Sequence, residues 1–152
     1  MHLATYLGLL DSSEHVLAHA FRQVADGHGD EPDIEHLCRF FADQAERHLA
    51  DLVQVAERYG EQRETEPERL HAAEFGGIRH GGVGLLRDLQ DLYVLASLVD
   101  ITWTAVGQAA RGLRDRELIE VVGRCENDVT RQLTWLRTRL KQAAPQALIM
   151  AP

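Results

Sequence analysis

The chain has 152 residues, of which 45% are hydrophobic and 26% charged, and a formal net charge of −8. That length and apolar share suit one globular domain with a sizeable core rather than a disordered chain. With no basic stripe to offset the acidity, the charge balance argues against nonspecific nucleic-acid binding.

The first periodic segment covers residues 2–26. Leu3, Tyr6, Leu10, Leu17, Phe21 and Val24 recur at three- and four-residue steps and so share one helical stripe. Its opening, MHLATYLGLLDSSEH, has no basic n-region and its apolar run breaks at Asp11, so it does not read as a signal peptide. GHGDEP ends the segment: Gly27 and Gly29 suit a helix C-terminus, and Asp30 or Glu31 ahead of Pro32 suits a helix start.

The second segment, 32–59, has the stripe Ile34, Leu37, Cys38, Phe41, Ala45, His48, Leu52, Val55 and Tyr59, and Gly60 stops it. Residues 60–82 form a polar, glycine-rich connection, within which EPERLHAAEF has the pattern of a short helix and GGIRHGGVG that of a flexible crossover. The third segment, 83–112, carries Leu85, Leu89, Leu92, Ala96, Trp103, Gly107 and Ala110 on one face, with Gly112 as its stop. Asp115 can cap the fourth, 115–143, whose stripe is Leu118, Val122, Cys125, Val129, Leu133, Leu136 and Leu140, and Pro145 closes it. No segment alternates with period two, so no sheet is expected.

Four helices of about 25 residues, each roughly 38 Å long, can hide their stripes only against one another. The expected fold is therefore all-α: one four-helix bundle of two antiparallel hairpins, with a long crossover between helices two and three. Extended at about 3.3 Å per residue, the crossover is long enough to span the bundle. Cys38 and Cys125 are far apart, without CxxC spacing and in apolar contexts, which predicts no disulfide and a cytoplasmic setting. No stretch reads as 18 consecutive apolar residues, so no membrane span is expected.

Polar residues that break the stripes are the informative ones. Glu14 projects about 20° from Phe21, Asp100 about 40° from Ala96 and Glu126 about 60° from Val129, while His48 lies in the stripe itself. Counted from the hairpin links, all four fall near mid-height, one per helix. Such a cluster must share protons and hydrogen bonds or surround a divalent cation.

One inward acidic or histidine residue per helix in this topology resembles the ferritin-like superfamily over the whole chain. The resemblance implies a mid-bundle metal site at Glu14, His48, Asp100 and Glu126, holding iron, manganese or zinc. The family's diagnostic Glu-x-x-His pairs are absent: Ala45 stands three residues before His48 and Val129 three after Glu126. All eight histidines lie in the first 80 residues, so a degenerate or single-metal site is the form expected. The alternative is a non-enzymatic dimeric binding or assembly module in which the cluster is structural.

Other features carry less. His15 and His19 stand at i, i+4 but point away from the stripe, as an exposed pair. GGIRHGGVG follows no strand and lacks GKS or GKT, so it is no phosphate loop. Ser12 and Ser13 have no base beside them, and both cysteines read as core packing. Helix three is apolar on its back as well, through Val94, Leu98, Ile101 and Ala105, which predicts a homodimer packed through that face and aided by the tail ALIM.

Overall fold

The computed structural model describes residues 1–60 and 74–150. Among them the chain is helical, without a strand: α1 (Leu3–Gly27), α2 (Pro32–Tyr59), α3 (Gly81–Leu113), α4 (Arg116–Pro145) and a π-turn (Gln146–Met150). Each boundary lies within two residues of the position expected from the stripes and caps.

Local chemistry accounts for most of these ends. Pro32 opens α2, with Asp33 and Glu35 in the first turn, where a helix dipole favours negative charge. Gly60 leaves α2 at φ 77°, a left-handed value that suits glycine. Asp115 caps α4, its carboxylate accepting from the Leu118 amide at 3.1 Å.

Two ends differ from expectation. Gly112 stays inside α3, and Arg114 takes the left-handed position at φ 56°. The Arg114 and Asp115 amides then donate to the Arg111 and Ala110 carbonyls, so the α4 cap sets the place of the turn. Pro145 does not stop the helical chain either. It lacks the amide that would continue the i→i−4 ladder, and the backbone widens into the π-turn.

α1 packs on α2 and α3, and α4 packs on α3 and α2; the α2–α4 seam is the most open of the four. The shared core contains Leu10, Leu17, Phe21, Ile34, Leu52, Leu89, Leu92, Trp103, Leu118 and Leu136, all fully enclosed. Among the predicted stripe residues Tyr6 is the exception, since it is exposed.

The expected short helix at EPERLHAAEF lies mostly outside the described residues; Glu74 and Phe75, its described end, are not helical. The glycine-rich stretch is not the free crossover expected. Its second half already belongs to α3, and Ile78 and Arg79 are tied down. A Cβ on Gly27 would meet Ile78 Cδ1 at 2.4 Å, and one on Gly84 would meet the Arg79 carbonyl carbon at 2.8 Å, so both positions need the bare backbone.

α3 carries apolar residues on its back as well as on its inner stripe. It is the one helix among the described residues long and apolar enough, by length and composition, to cross a membrane, a test that the core helix of a bundle also passes. Its inner stripe is core, whereas Val94 and Ile101 on its back are 62% and 61% exposed.

Candidate functional site

The polar cluster at mid-bundle is built around His48. This imidazole is buried on α2, and its two nitrogens face carboxylates on opposite sides. Nδ1 lies 2.8 Å from Glu14 Oε1 on α1, and Nε2 lies 3.0 Å from Asp128 Oδ2 on α4. From α3, Trp103 Nε1–H donates to the same Glu14 oxygen at 2.9 Å, and its ring meets the imidazole edge-on. All four helices thus contribute, as expected, but with a different membership.

An imidazole can donate to both carboxylates only as the doubly protonated cation. Burial pulls the His48 pKa down, but the hydrogen bonds and charges of Glu14 and then Asp128 outweigh it, and the net direction is up. The arrangement favours the imidazolium form of His48, held between a fully enclosed carboxylate and one whose side chain is 28% exposed. The exposed end opens into a groove of about 310 Å³ between α2 and α4, bordered by Arg47, Asp51 and Arg124. Cys125 borders it too, but burial, then the charges of Glu14, Asp51 and Asp128, hold its thiol well above the ordinary range, so it is no nucleophile. Burial, helped by Asp33, pushes Cys38 up to about 12.

Two of the four predicted ligands, Glu14 and His48, therefore meet, and two do not join them. Asp100 is half-buried on the flank of α3, and among the described residues its carboxylate has no hydrogen-bond or ion-pair partner. Burial raises its pKa. Glu126 lies against Gly107 in the α3–α4 groove, on the far side of α4 from His48. The physical reason is helical phase. Residues 40–60° off a stripe reach the edge of a helix–helix seam, not its centre, and Asp128 stands about 200° around α4 from Glu126.

The donor set does not fit the metal that the ferritin-like resemblance implies. A coordination shell needs lone pairs converging on one point, whereas both His48 nitrogens are turned outward to separate carboxylates. Among the described residues no group of three or more His, Cys, Asp and Glu side chains is arranged to hold a metal ion. The His15–His19 pair is exposed, as expected.

The α2–α4 seam continues this polar character at other levels. Gln132 Nε2 donates to Gln44 Oε1 at 3.0 Å within the core. Arg139 pairs with Asp33 at 2.7 Å and with Glu31, and Arg124 reaches Asp51. At the opposite end Tyr59 donates to Asp115, which Arg58 also contacts. These partners keep nearly one register along both helices.

A second buried cluster has no counterpart in the sequence reading. Asp88, fully enclosed on α3, accepts from the Arg79 amide at 2.9 Å and the Arg79 guanidinium at 2.8 Å. Its Oδ2 also lies 2.8 Å from His28 Nε2 at the end of α1. Arg79 reaches Asp91 as well, so the cluster staples the entry of α3 to the α1–α2 link. A signal was available: Asp88 stands three residues after Leu85 and four before Leu92, on the inner stripe by the criterion that selected Asp100.

Comparison with family models, with curated proteins and with solved structures gives no match to this chain.

Proposed function

We propose that this chain is a non-enzymatic, dimeric helical module for binding or assembly, and that its mid-bundle cluster is structural. The observation that carries the reading is His48, which commits both ring nitrogens to opposed carboxylates and leaves none for a metal or a substrate proton. A chain of this kind fixes helix positions, the best-attested use of buried ionic groups.

The contacts favour two antiparallel hairpins joined by a long crossover, the ferritin-like arrangement. Asp26 meets Arg39, Arg22 meets Asp43 and Glu46, and Glu14 meets His48, so α2 rises as α1 descends. The docking surface of the module is the exposed back of α3, where Val94, Leu98, Ile101 and Ala105 await a second copy. Two free, buried cysteines suit a reducing compartment.

The test has two parts. Sedimentation of the pure protein at micromolar concentration is expected to give a dimer, and Ile101→Glu a monomer with unchanged helicity. Metal analysis of protein grown in iron- and manganese-rich medium is expected to find no stoichiometric metal. Stoichiometric metal in the wild type, lost in a folded His48→Ala variant, would overturn the structural role of the cluster. A wild-type monomer would overturn the assembly role.

A further inference from the structure

We infer that Asp128 is a two-position carboxylate: it is held inward on His48 while the imidazole carries both ring protons, and it turns outward across the α2–α4 groove to Arg47 when one of them leaves. This inference rests on the structural reading of the cluster above and adds a pH-driven movement to it.

The groove holds the second position ready. Partners along the α2–α4 seam run in opposite chain directions, from Tyr59 with Asp115 at one end to Asp33 with Arg139 at the other. On α2, Arg47 and Asp51 stand one turn apart on the groove, and on α4 Arg124 and Asp128 do the same. In this register Asp51 faces Arg124, and the two are paired at 3.4 Å. Arg47 faces Asp128 at the next level, yet that pair is not made. Asp128 is turned inward to His48 Nε2 at 3.0 Å. The exposed Arg47 guanidinium has no hydrogen-bond or ion-pair partner among the described residues. One cross-seam ion pair is thus made and one unmade, and His48 has taken the carboxylate of the unmade one.

Burial decides which contact gives way when His48 loses a proton. A neutral imidazole has one N–H and one lone pair, so it donates to only one of its two carboxylates. Glu14 is fully enclosed; its Oε1 takes the imidazole and the Trp103 indole, and its Oε2 has no partner. Stranding Glu14 costs more than releasing a carboxylate that can be hydrated at the groove. The remaining proton therefore stays on Nδ1, facing Glu14. Nε2 then sets a lone pair 3.0 Å from Asp128 Oδ2, acceptor against acceptor. Asp128 is partly exposed, and a change of rotamer carries its carboxylate toward Arg47. The other neighbours of His48 do not compete for this role. α3 presents the uncharged Trp103 indole, and α4 adds Arg124 and Cys125 beside Asp128. α2 itself supplies Arg47 and Asp51. An arginine or aspartate ordinarily holds its charge throughout the range in which an imidazole titrates. The Cys125 thiol is held above that range, first by burial. Burial lowers the His48 pKa and the two carboxylates raise it by more, so the movement falls on the alkaline side of the ordinary imidazole value of about 6.5. Turned outward, Asp128 exchanges a buried tie between α2 and α4 for an exposed one. It also uncovers Nε2 as a bare acceptor on the floor of the groove, open to water.

Nuclear magnetic resonance on the isotope-labelled wild-type chain tests the movement. The ring nitrogens of His48 report its protons and tautomer, and three-bond couplings to Asp128 Cγ report the rotamer. Between pH ~6 and pH ~9.5 the expected result is one transition seen by both. Nε2 loses its proton while Nδ1 keeps it, Asp128 changes rotamer at the same midpoint, and Asp51, already paired, keeps its own. His48→Gln, whose amide does not titrate, is expected to abolish the rotamer change. Arg47→Gln is expected to lower the outward population by roughly 1.5- to 5-fold, the range that an exposed ion pair contributes. An Asp128 rotamer that holds while His48 titrates overturns the movement and leaves the structural reading standing. So does a proton lost from Nδ1 instead, a His48 that keeps both protons throughout, or a rotamer change that persists in His48→Gln. An outward population unchanged in Arg47→Gln removes Arg47 as the second partner. Ring nitrogens without hydrogen-bonded protons even at the acid end overturn both readings.

Discussion

Removing the His48 side chain isolates what the mid-bundle chain contributes. In His48→Ala, Asp128 loses a partner but is 28% exposed and can be hydrated. Glu14 is fully enclosed and retains Trp103 Nε1–H alone. Deleting one member of a buried ion pair costs about 3–5 kcal/mol, because the other charge is stranded. For a domain of this size that lowers Tm by roughly 6–20 °C. Removing both members acts differently. Glu14→Leu with His48→Leu strands no buried charge, and the main penalty left is an unpaired indole N–H, about 1–3 kcal/mol. The double variant is therefore expected to be more stable than His48→Ala. Urea unfolding followed by far-UV circular dichroism, with m-values compared, reads both. A His48→Ala variant within about 1 kcal/mol of wild type would refute the buried-pair reasoning. So would a double variant that loses the sum of the two single changes.

Three further outcomes are expected. The folded-state pKa of His48 is raised, so the stability it supplies is complete below its unfolded value of about 6.5 and is lost as pH rises through the folded value; the difference in urea midpoint between wild type and His48→Gln should shrink from pH ~6 to pH ~9, and a difference that grows would reverse the sign. Asp88→Ala leaves the Arg79 amide and His28 without their acceptor, and a loss of about 3–5 kcal/mol is expected in thermal melts; a change under about 1 kcal/mol would remove the staple from the account. Gly84→Ala gains about 1 kcal/mol of helix propensity but sets a methyl 2.8 Å from the Arg79 backbone, so a net loss of roughly 1–2 kcal/mol should appear, with faster amide exchange at Arg79.

The helices were legible because their signals are redundant. Asp115 as cap, Pro32 at the start of α2 and a leucine every third or fourth residue all agree on the same ends. Glu14 and His48 were legible as a pair because one short link sets their heights equal. Asp100 and Glu126 share the inner arc by sequence but not the seam that holds His48: Asp100 lies on the flank of α3, and Glu126 stands about 200° around α4 from Asp128. An arc around a stripe does not tell which of its two neighbouring seams a carboxylate enters. Asp128 stands off the α4 stripe and so carries no sequence signal, and it reaches His48 because the α2–α4 seam is open enough to admit it from the side. Gln44 and Gln132 stand about 60° from Phe41 and Val129, no nearer their stripes than Glu126, and neutral amides attract little notice when charges are sought. Arg79 lies in a glycine-rich run whose composition suggests freedom, and only the fold brings Asp88 to hold it.

The polar partners along the α2–α4 seam have one more consequence. Apolar ridges on neighbouring helices can slide by a turn, about 5.4 Å, and find almost equivalent grooves. Here such a slide would separate Tyr59 from Asp115, His48 from Asp128, Gln44 from Gln132 and Arg139 from Asp33 in a single movement. Unevenly spaced partners work as a vernier scale, with one setting at which every mark coincides. A version of this protein with the seam rebuilt from leucine would melt at a higher temperature and hold its two ends in less certain alignment. Any surface that spans both ends of the bundle depends on that alignment.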